Sequence, residues 1–456
     1  MQPAFVGEAN RFFLRAVGTA KSGAALSLLA FVATSACGAS NVGTPDAGAP
    51  ASSSGSTVGS SSGGAGSSSS SGSGSSSSSG SVASSSSSSS GSSGSGSDAG
   101  GGSSSSGSAG SGDAGTSTDA SASADAAVRT DVAALMEKVA DWQIRQLGGS
   151  AAKTWIESTF YAGLMATYRT THQAKYLDAV DAWGKANQWT LGPGRTNADD
   201  QCAGQAYVEA YDVDNNMAEL TPTQTELGAM VAAPQAGRVV WWWADALFMS
   251  PPVFARVGTA TSQSKYFDAM STMYWDTVAL LQDKASGLFW RDSSFFGKTC
   301  PNGKGMFWAR GNAWVIAGAA RVIDELPPAY PDRAKFVALL RTMSTALLPL
   351  QRSDGYWSSC LTDAKDYPSP ETSGTAGFTF ALAWGVNRGL LDAATYGPAI
   401  QKGWSALAAA VNTTSGQLGW VQPVGGAPGP SALGDSAPYG TGLFLLAGSE
   451  VATLPP

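Results

Sequence analysis

Histidine is almost missing from this chain. His172 is the single one in 456 residues, which excludes a nucleophile driven by a His–Asp pair elsewhere in the chain and any metal site built from several imidazoles. His172 itself is expected at the surface. Cysteine is scarce as well. Cys37 falls in the N-terminal region, leaving Cys202, Cys300 and Cys360. Their spacing matches no zinc pattern, so neither a metal nor a cofactor is expected. A Cys300–Cys360 bridge, with Cys202 buried and free, fits an oxidising compartment. Positive charge is in deficit: 27 Lys and Arg against 34 Asp and Glu give a formal net charge of −7, which argues against a nucleic-acid partner.

Long apolar runs are lacking too. The stretch from Ala24 to Ala36 is too short to cross a bilayer comfortably. It follows Arg11, Arg15 and Lys21, so residues 1–39 read as an export signal. Thr34-Ser35-Ala36 ends in small residues before Cys37. That arrangement fits lipidation of Cys37 as in bacterial lipoproteins, or plain signal-peptidase cleavage after Ala36. Under either reading the protein leaves the cytoplasm, as a lipoprotein of the cell envelope or as a secreted protein. Membrane contact is then expected only through an anchor at Cys37. Residues 40–125 are almost entirely Ser, Gly and Ala with a few Asp. They bury nothing that could offset the entropy of ordering, so they read as a flexible tether. Its root-mean-square reach is roughly 50 Å for about 85 residues.

What remains, 126–456, is read as one domain. Apolar residues recur at helical spacing, as at Val132, Leu135, Val139 and Trp142. Further helices are expected near 156–170, 173–188, 200–213, 222–233, 241–258, 263–284, 310–325, 332–350, 374–390, 395–413 and 438–452. Gly148-Gly149, Gly192-Pro193-Gly194, Gly258, Pro327-Pro328 and Gly389 punctuate them. Pro222 is expected in the first turn of its helix. Short strands are expected only at 287–291 and 355–360. About twelve helices without sustained strand alternation suit two concentric rings paired as six hairpins, an all-α (α/α)6 barrel. Fifteen Trp and twelve Tyr exceed ordinary core needs and suit sugar-stacking platforms as well as core filling.

Several acids and cations stand out. Asp245 lies in Trp241-Trp242-Trp243-Ala244-Asp245-Ala246-Leu247-Phe248-Met249. On a helix, Trp242, Ala246 and Met249 would share a face. A carboxyl group in such a wall keeps its proton and can act as a general acid; it can also simply cap a helix or pair with an Arg. Asp199 and Asp200 precede a helix, as caps or as reactive carboxylates. Trp308-Ala309-Arg310 offers a planar guanidinium between indoles, fit for a carboxylate ligand or for a structural ion pair. Trp290-Arg291-Asp292 and Lys304 add charge to an aromatic loop, and Glu371 precedes a helix start.

Six motifs stand in order across about 130–453: Trp155-Ile156-Glu157-Ser158, Asn197-Ala198-Asp199-Asp200-Gln201 with Gly204-Gln205, Trp243-Ala244-Asp245-Ala246, Trp308-Ala309-Arg310-Gly311-Asn312, Glu371-Thr372-Ser373-Gly374 and Tyr439-Gly440-Thr441-Gly442. In this order they resemble the unsaturated rhamnogalacturonyl hydrolases of glycoside hydrolase family 105, related to the unsaturated glucuronyl hydrolases of family 88. The resemblance implies the (α/α)6 barrel. It also implies hydration of the C4=C5 vinyl ether that polysaccharide lyases leave on a uronic acid, with unsaturated galacturonyl-rhamnose from pectin as the expected substrate. In that reaction an acid protonates C4, water adds at C5, and the hemiketal opens to release the sugar. Carried over residue by residue, the resemblance makes Asp245 the proton donor and Asp199 the second carboxylate, with Asp200 beside it. Arg310 with Trp308 then cradles the uronate, with Trp242, Arg291, Lys304 and Glu371 as further substrate contacts. Some members place a His where Arg291 stands, so this part of the proton network departs from the pattern. A glucuronyl hydrolase acting on other polyuronides, a conventional glycosidase and a non-catalytic glycan-binding module are the competing readings.

Overall fold

The computed structural model describes residues 116–454, with side chains from Asp131 onward. The export signal, Cys37 and the tether as far as residue 115 lie outside the described residues. Among the described residues, twelve long helices carry the fold. They are α1 (Thr116–Leu147), α2 (Trp155–Thr171), α3 (Ala174–Ala186), α4 (Gly204–Asp214), α5 (Met217–Ala232), α6 (Pro251–Thr261), α7 (Ser264–Leu281), α8 (Ala309–Glu325), α9 (Arg333–Leu347), α10 (Thr372–Asn387), α11 (Ala393–Ala409) and α12 (Pro438–Val451). Among the described residues the first helix begins at Thr116, inside the stretch assigned to the tether, where Ala replaces Gly in the composition.

The even-numbered helices touch in a closed circuit, α2 to α4, α6, α8, α10, α12 and back to α2. The odd-numbered helices lie outside, each against one or two inner neighbours. This is the (α/α)6 barrel of six hairpins. Burial follows the rings. On α10 every residue from Thr372 to Val386 is buried, and on α8 every residue from Ala309 to Ile323. Outer α3 buries only Tyr176, Val180, Trp183 and Gly184, one stripe of its surface. The ring closes where glycine permits it: a Cβ on Gly163 of α2 would run into the Gly442 carbonyl of α12, and one on Gly442 into that of Thr159.

Three local expectations give way. The segment 241–258 is not one helix. Ala244 N donates to the Arg291 carbonyl at 2.8 Å and Trp243 bridges Asp292, so the chain stays extended there. One helical turn, Ala246–Met249, follows before α6 restarts at Pro251. Pro222 sits inside α5, because Asn216 caps that helix at Met217, its side chain accepting from Ala218 N at 3.2 Å. The two aromatic segments form isolated bridges, Gln282 with Phe289 and Gln351 with Trp357, and not strands.

Candidate active site

Each inner helix returns through an outer one, so all six inner helices start at the same end of the barrel. The acids and aromatics of the motifs collect there. Thr154 caps α2, its hydroxyl accepting from Ile156 N at 3.3 Å and donating to the Glu157 carboxylate at 2.5 Å, which places Trp155 in its first turn. Asp199 lies on the helical turn Ala198–Gln201 ahead of α4, and Asp245 directly precedes the turn ahead of α6.

The Asp245 side chain is 13% exposed. Its Oδ2 is buried with no hydrogen-bond partner, 3.8 Å from the Nε of Arg291, which also lacks a partner. Burial raises the Asp245 carboxyl above its ordinary value, against Arg291 and Arg310, which pull it down. Arg291 is oriented by Asp292, which accepts from its Nη1 at 2.7 Å, and lies 5.4 Å from the ring centre of Trp242. Trp242 is 46% exposed and tilts against Trp243. It is an open aromatic face beside the guanidinium that faces the acid, as a sugar platform requires. Asp199 is pushed up to about 7, first by burial and then by the charges of Asp245 and Asp200, with Arg291 opposing. Two neighbouring carboxylates with raised proton affinity can divide acid and base work between them.

The other expected contacts are placed as follows. Asp200 braces the turn before it, its Oδ2 accepting from Gly194 N at 2.9 Å. Arg310 is fully buried. Its guanidinium donates to the carbonyls of Gln422 at 2.6 Å and Pro423 at 3.0 Å, between the rings of Trp308 and Tyr439. Its Nε is buried and has no hydrogen-bond partner among the described residues. Trp308 is 1% exposed and donates through Nε1 to the Gln422 side chain at 2.9 Å. Glu371 caps α10, accepting from Ser373 N at 2.9 Å and Gly374 N at 2.7 Å, and it also accepts from Gln422 N at 3.3 Å. Lys304 is exposed on the turn between the bridged Thr299 and Gly305. His172 is exposed at the C-cap of α2.

Gln422 is therefore a hub that sequence reading missed. Trp308, Arg310, Glu371 and Tyr439 all converge on it. Its Nε2 also donates to the Ala427 carbonyl at 2.8 Å, which holds the glycine-rich loop beyond it. That loop reaches the acid site, for Gly426 lies against the Arg291 guanidinium. One signal sits nearby only in the backbone: Trp420 has φ 58°, a left-handed conformation rare for a large residue. Trp155 was also missed as a wall residue; its ring lies 5.0 Å from Tyr439. Cys300 and Cys360 are joined as a disulfide, and Cys202 is buried and free.

The sequence profile described as Glycosyl Hydrolase Family 88 matches residues 128–454, the whole barrel. The chain belongs to glycosyl hydrolase family 88. It is a glycoside hydrolase. Two relatives are each named unsaturated 3S-rhamnoglycuronyl hydrolase. The one from Formosa agariphila is 36% identical over 345 residues, 71% of this chain and 91% of that protein. The one from an Alteromonas species, strain LOR, is 35% identical over 348 residues, 69% of this chain and 84% of that protein. Among solved structures, a family 88 glycosyl hydrolase from Bacteroides vulgatus is similar with a TM-score of 0.68 and 26% identity, covering 71% of this chain and 99% of that one.

Proposed function

We propose that this family 88 hydrolase removes the unsaturated uronyl residue from oligosaccharides left by polysaccharide lyases, by hydrating its C4=C5 vinyl ether. Asp245 protonates C4. Positive charge then develops at C5 and the ring oxygen, where the Asp199 carboxylate stabilises it; Asp245, now ionised, orients the water that attacks C5 and takes its proton, which restores the acid. The hemiketal opens and the reducing-side sugar leaves. The anomeric carbon is not the electrophile, so the spacing of the two acids does not dictate stereochemistry as it does in ordinary glycosidases.

The observation that carries this reading is the Asp245 carboxyl: largely buried, raised in proton affinity, with an unpartnered oxygen facing Arg291, which in turn lies over the exposed indole of Trp242. A non-catalytic lectin has no use for a high-affinity proton beside its aromatic platform. Arg291 and the N-termini of six inner helices make the mouth favourable to a uronate carboxylate.

The sugar released is proposed to be rhamnose. The motif order resembles rhamnogalacturonyl hydrolases, and the names of the two relatives place rhamnose beside the uronyl group. Unsaturated galacturonyl-rhamnose from pectin and unsaturated glucuronyl-rhamnose, with and without sulfate, are the substrates to compare. Lipid attachment at Cys37, following export, would hold the enzyme at the envelope, with the tether giving it reach. The test is a panel of these disaccharides with their saturated counterparts, followed by ultraviolet absorbance of the vinyl ether. Loss of absorbance on the unsaturated members alone supports the proposal. Cleavage of saturated members, or binding of every member without turnover, contradicts it.

A further inference from the structure

We infer that Gln205 is a positioning residue for the general acid, tying the turn that carries Asp245 to the helix that follows Asp199. This rests on the reading of Asp245 as the proton donor. The argument starts from two prolines. In a continuous helix the carbonyls of Leu247 and Phe248 would accept from the amides four residues on. Those residues are Pro251 and Pro252, which have no N–H. The turn Ala246–Met249 is therefore left with carbonyls that its own strand of chain cannot satisfy, inside a fully buried wall.

The barrel supplies what the turn lacks. Gln205, completely buried on α4, donates through Nε2 to the Phe248 carbonyl at 2.8 Å and lies 3.5 Å from that of Met249. The Leu247 carbonyl rests on Gly318 of α8, where any Cβ would collide with it. Gln205 is itself oriented. Arg321 Nε donates to its Oε1 at 2.7 Å, which fixes the amide so that Nε2 faces the turn. Arg321 in turn is paired with buried Glu209, one turn along α4 from Gln205. A second tie runs alongside: the Ser250 hydroxyl donates to the side chain of Gln201, which ends the turn carrying Asp199. The two acid-bearing turns are thus joined to each other through Gln201–Ser250 and to the barrel floor through Gln205–Arg321–Glu209.

Gln205 touches neither Asp245 nor Asp199 through a hydrogen bond among the described residues. Its effect on the reaction comes through the placement of Asp245. A shift of about 1 Å in a reacting group costs roughly 100-fold in rate. Gln205→Met keeps the size and removes the donor. It is expected to lower kcat by roughly 10- to 100-fold, with KM within about threefold of wild type. In the Asp245→Asn background the same change should leave one binding site per chain for the unsaturated disaccharide, read by calorimetry, which shows that the mouth is intact. Gln205→Glu keeps the acceptor for Arg321 and loses the Nε2 donor to the Phe248 carbonyl; it should lower kcat likewise and carries the test if Gln205→Met does not fold. Wild-type kcat in a folded Gln205→Met protein, or in Gln205→Glu when the first variant does not fold, overturns the inference. So does a loss confined to KM or to the number of binding sites. Full activity in Asp245→Asn alone would instead overturn the reading of the acid, so the two failures are distinguishable.

Discussion

Arg291 Nε and Asp245 Oδ2 face each other at 3.8 Å, and neither has a hydrogen-bond partner. The gap is too long for a hydrogen bond yet short enough for charge coupling in a partly buried wall. It lets the guanidinium lower the proton affinity of Asp245 without taking the proton's place.

Removing that charge has a predictable sign. Arg291 opposes the upward push of burial on Asp245. Arg291→Met therefore raises the acid's pKa further, and the alkaline limb of the kcat/KM profile moves to higher pH. KM should rise as well, because an anion contact is lost. An unshifted limb would separate Arg291 from the acid.

Asp199 couples pH to stability. Its carboxyl is held at about 7 in the fold against an ordinary 3.8. Between those values the folded protein keeps a proton that the unfolded chain releases, so stability falls as pH rises through this window. Asp199→Asn should melt higher than wild type at pH 8, with the difference shrinking as pH approaches 4. Thermal melts followed by tryptophan fluorescence check this; a constant difference across the range would contradict it.

Arg310 holds a loop. Arg310→Lys loses the forked donation to the Gln422 and Pro423 carbonyls. It is expected to destabilise by roughly 2–4 kcal/mol in chemical denaturation. Activity should fall too, because the Gln422 loop lies against Arg291. Unchanged stability with only a raised KM would make Arg310 a direct substrate contact.

The Cys300–Cys360 disulfide closes a separation of 60 residues. On the chain-entropy account its reduction costs up to about 4 kcal/mol. A lower denaturation midpoint under reducing conditions, abolished in a Cys300→Ser, Cys360→Ser double variant, is the expected result.

Much of this fold is legible in the sequence because inner and outer helices differ in composition and are separated by glycine and proline. The position of Asp245 among tryptophans also marks it without any structure. The helix expected at 241–258 fails because periodicity does not register that Trp243 pairs with Asp292 and that two prolines follow. Arg310 reads as a ligand cradle from its flanking indoles, and the sequence cannot show that the carbonyls of Gln422 and Pro423, over a hundred residues later, also accept from it. Gln205 lies within the Asn197–Gln205 motif, yet its role emerges only when the Phe248 carbonyl is set opposite it. Glutamine carries no charge or periodic signal of its own, so hubs built on it stay hidden until the helices are in place.

The central claim is that Asp245 gives its proton to the alkene. The direct measurement is the decay of vinyl-ether absorbance for one unsaturated uronyl-rhamnose disaccharide, with wild type and with Asp245→Asn at equal folded concentration. The account predicts steady decay with the wild type and none above background with the variant, whose melting temperature stays at or above that of the wild type. Decay at the wild-type rate in Asp245→Asn would contradict it.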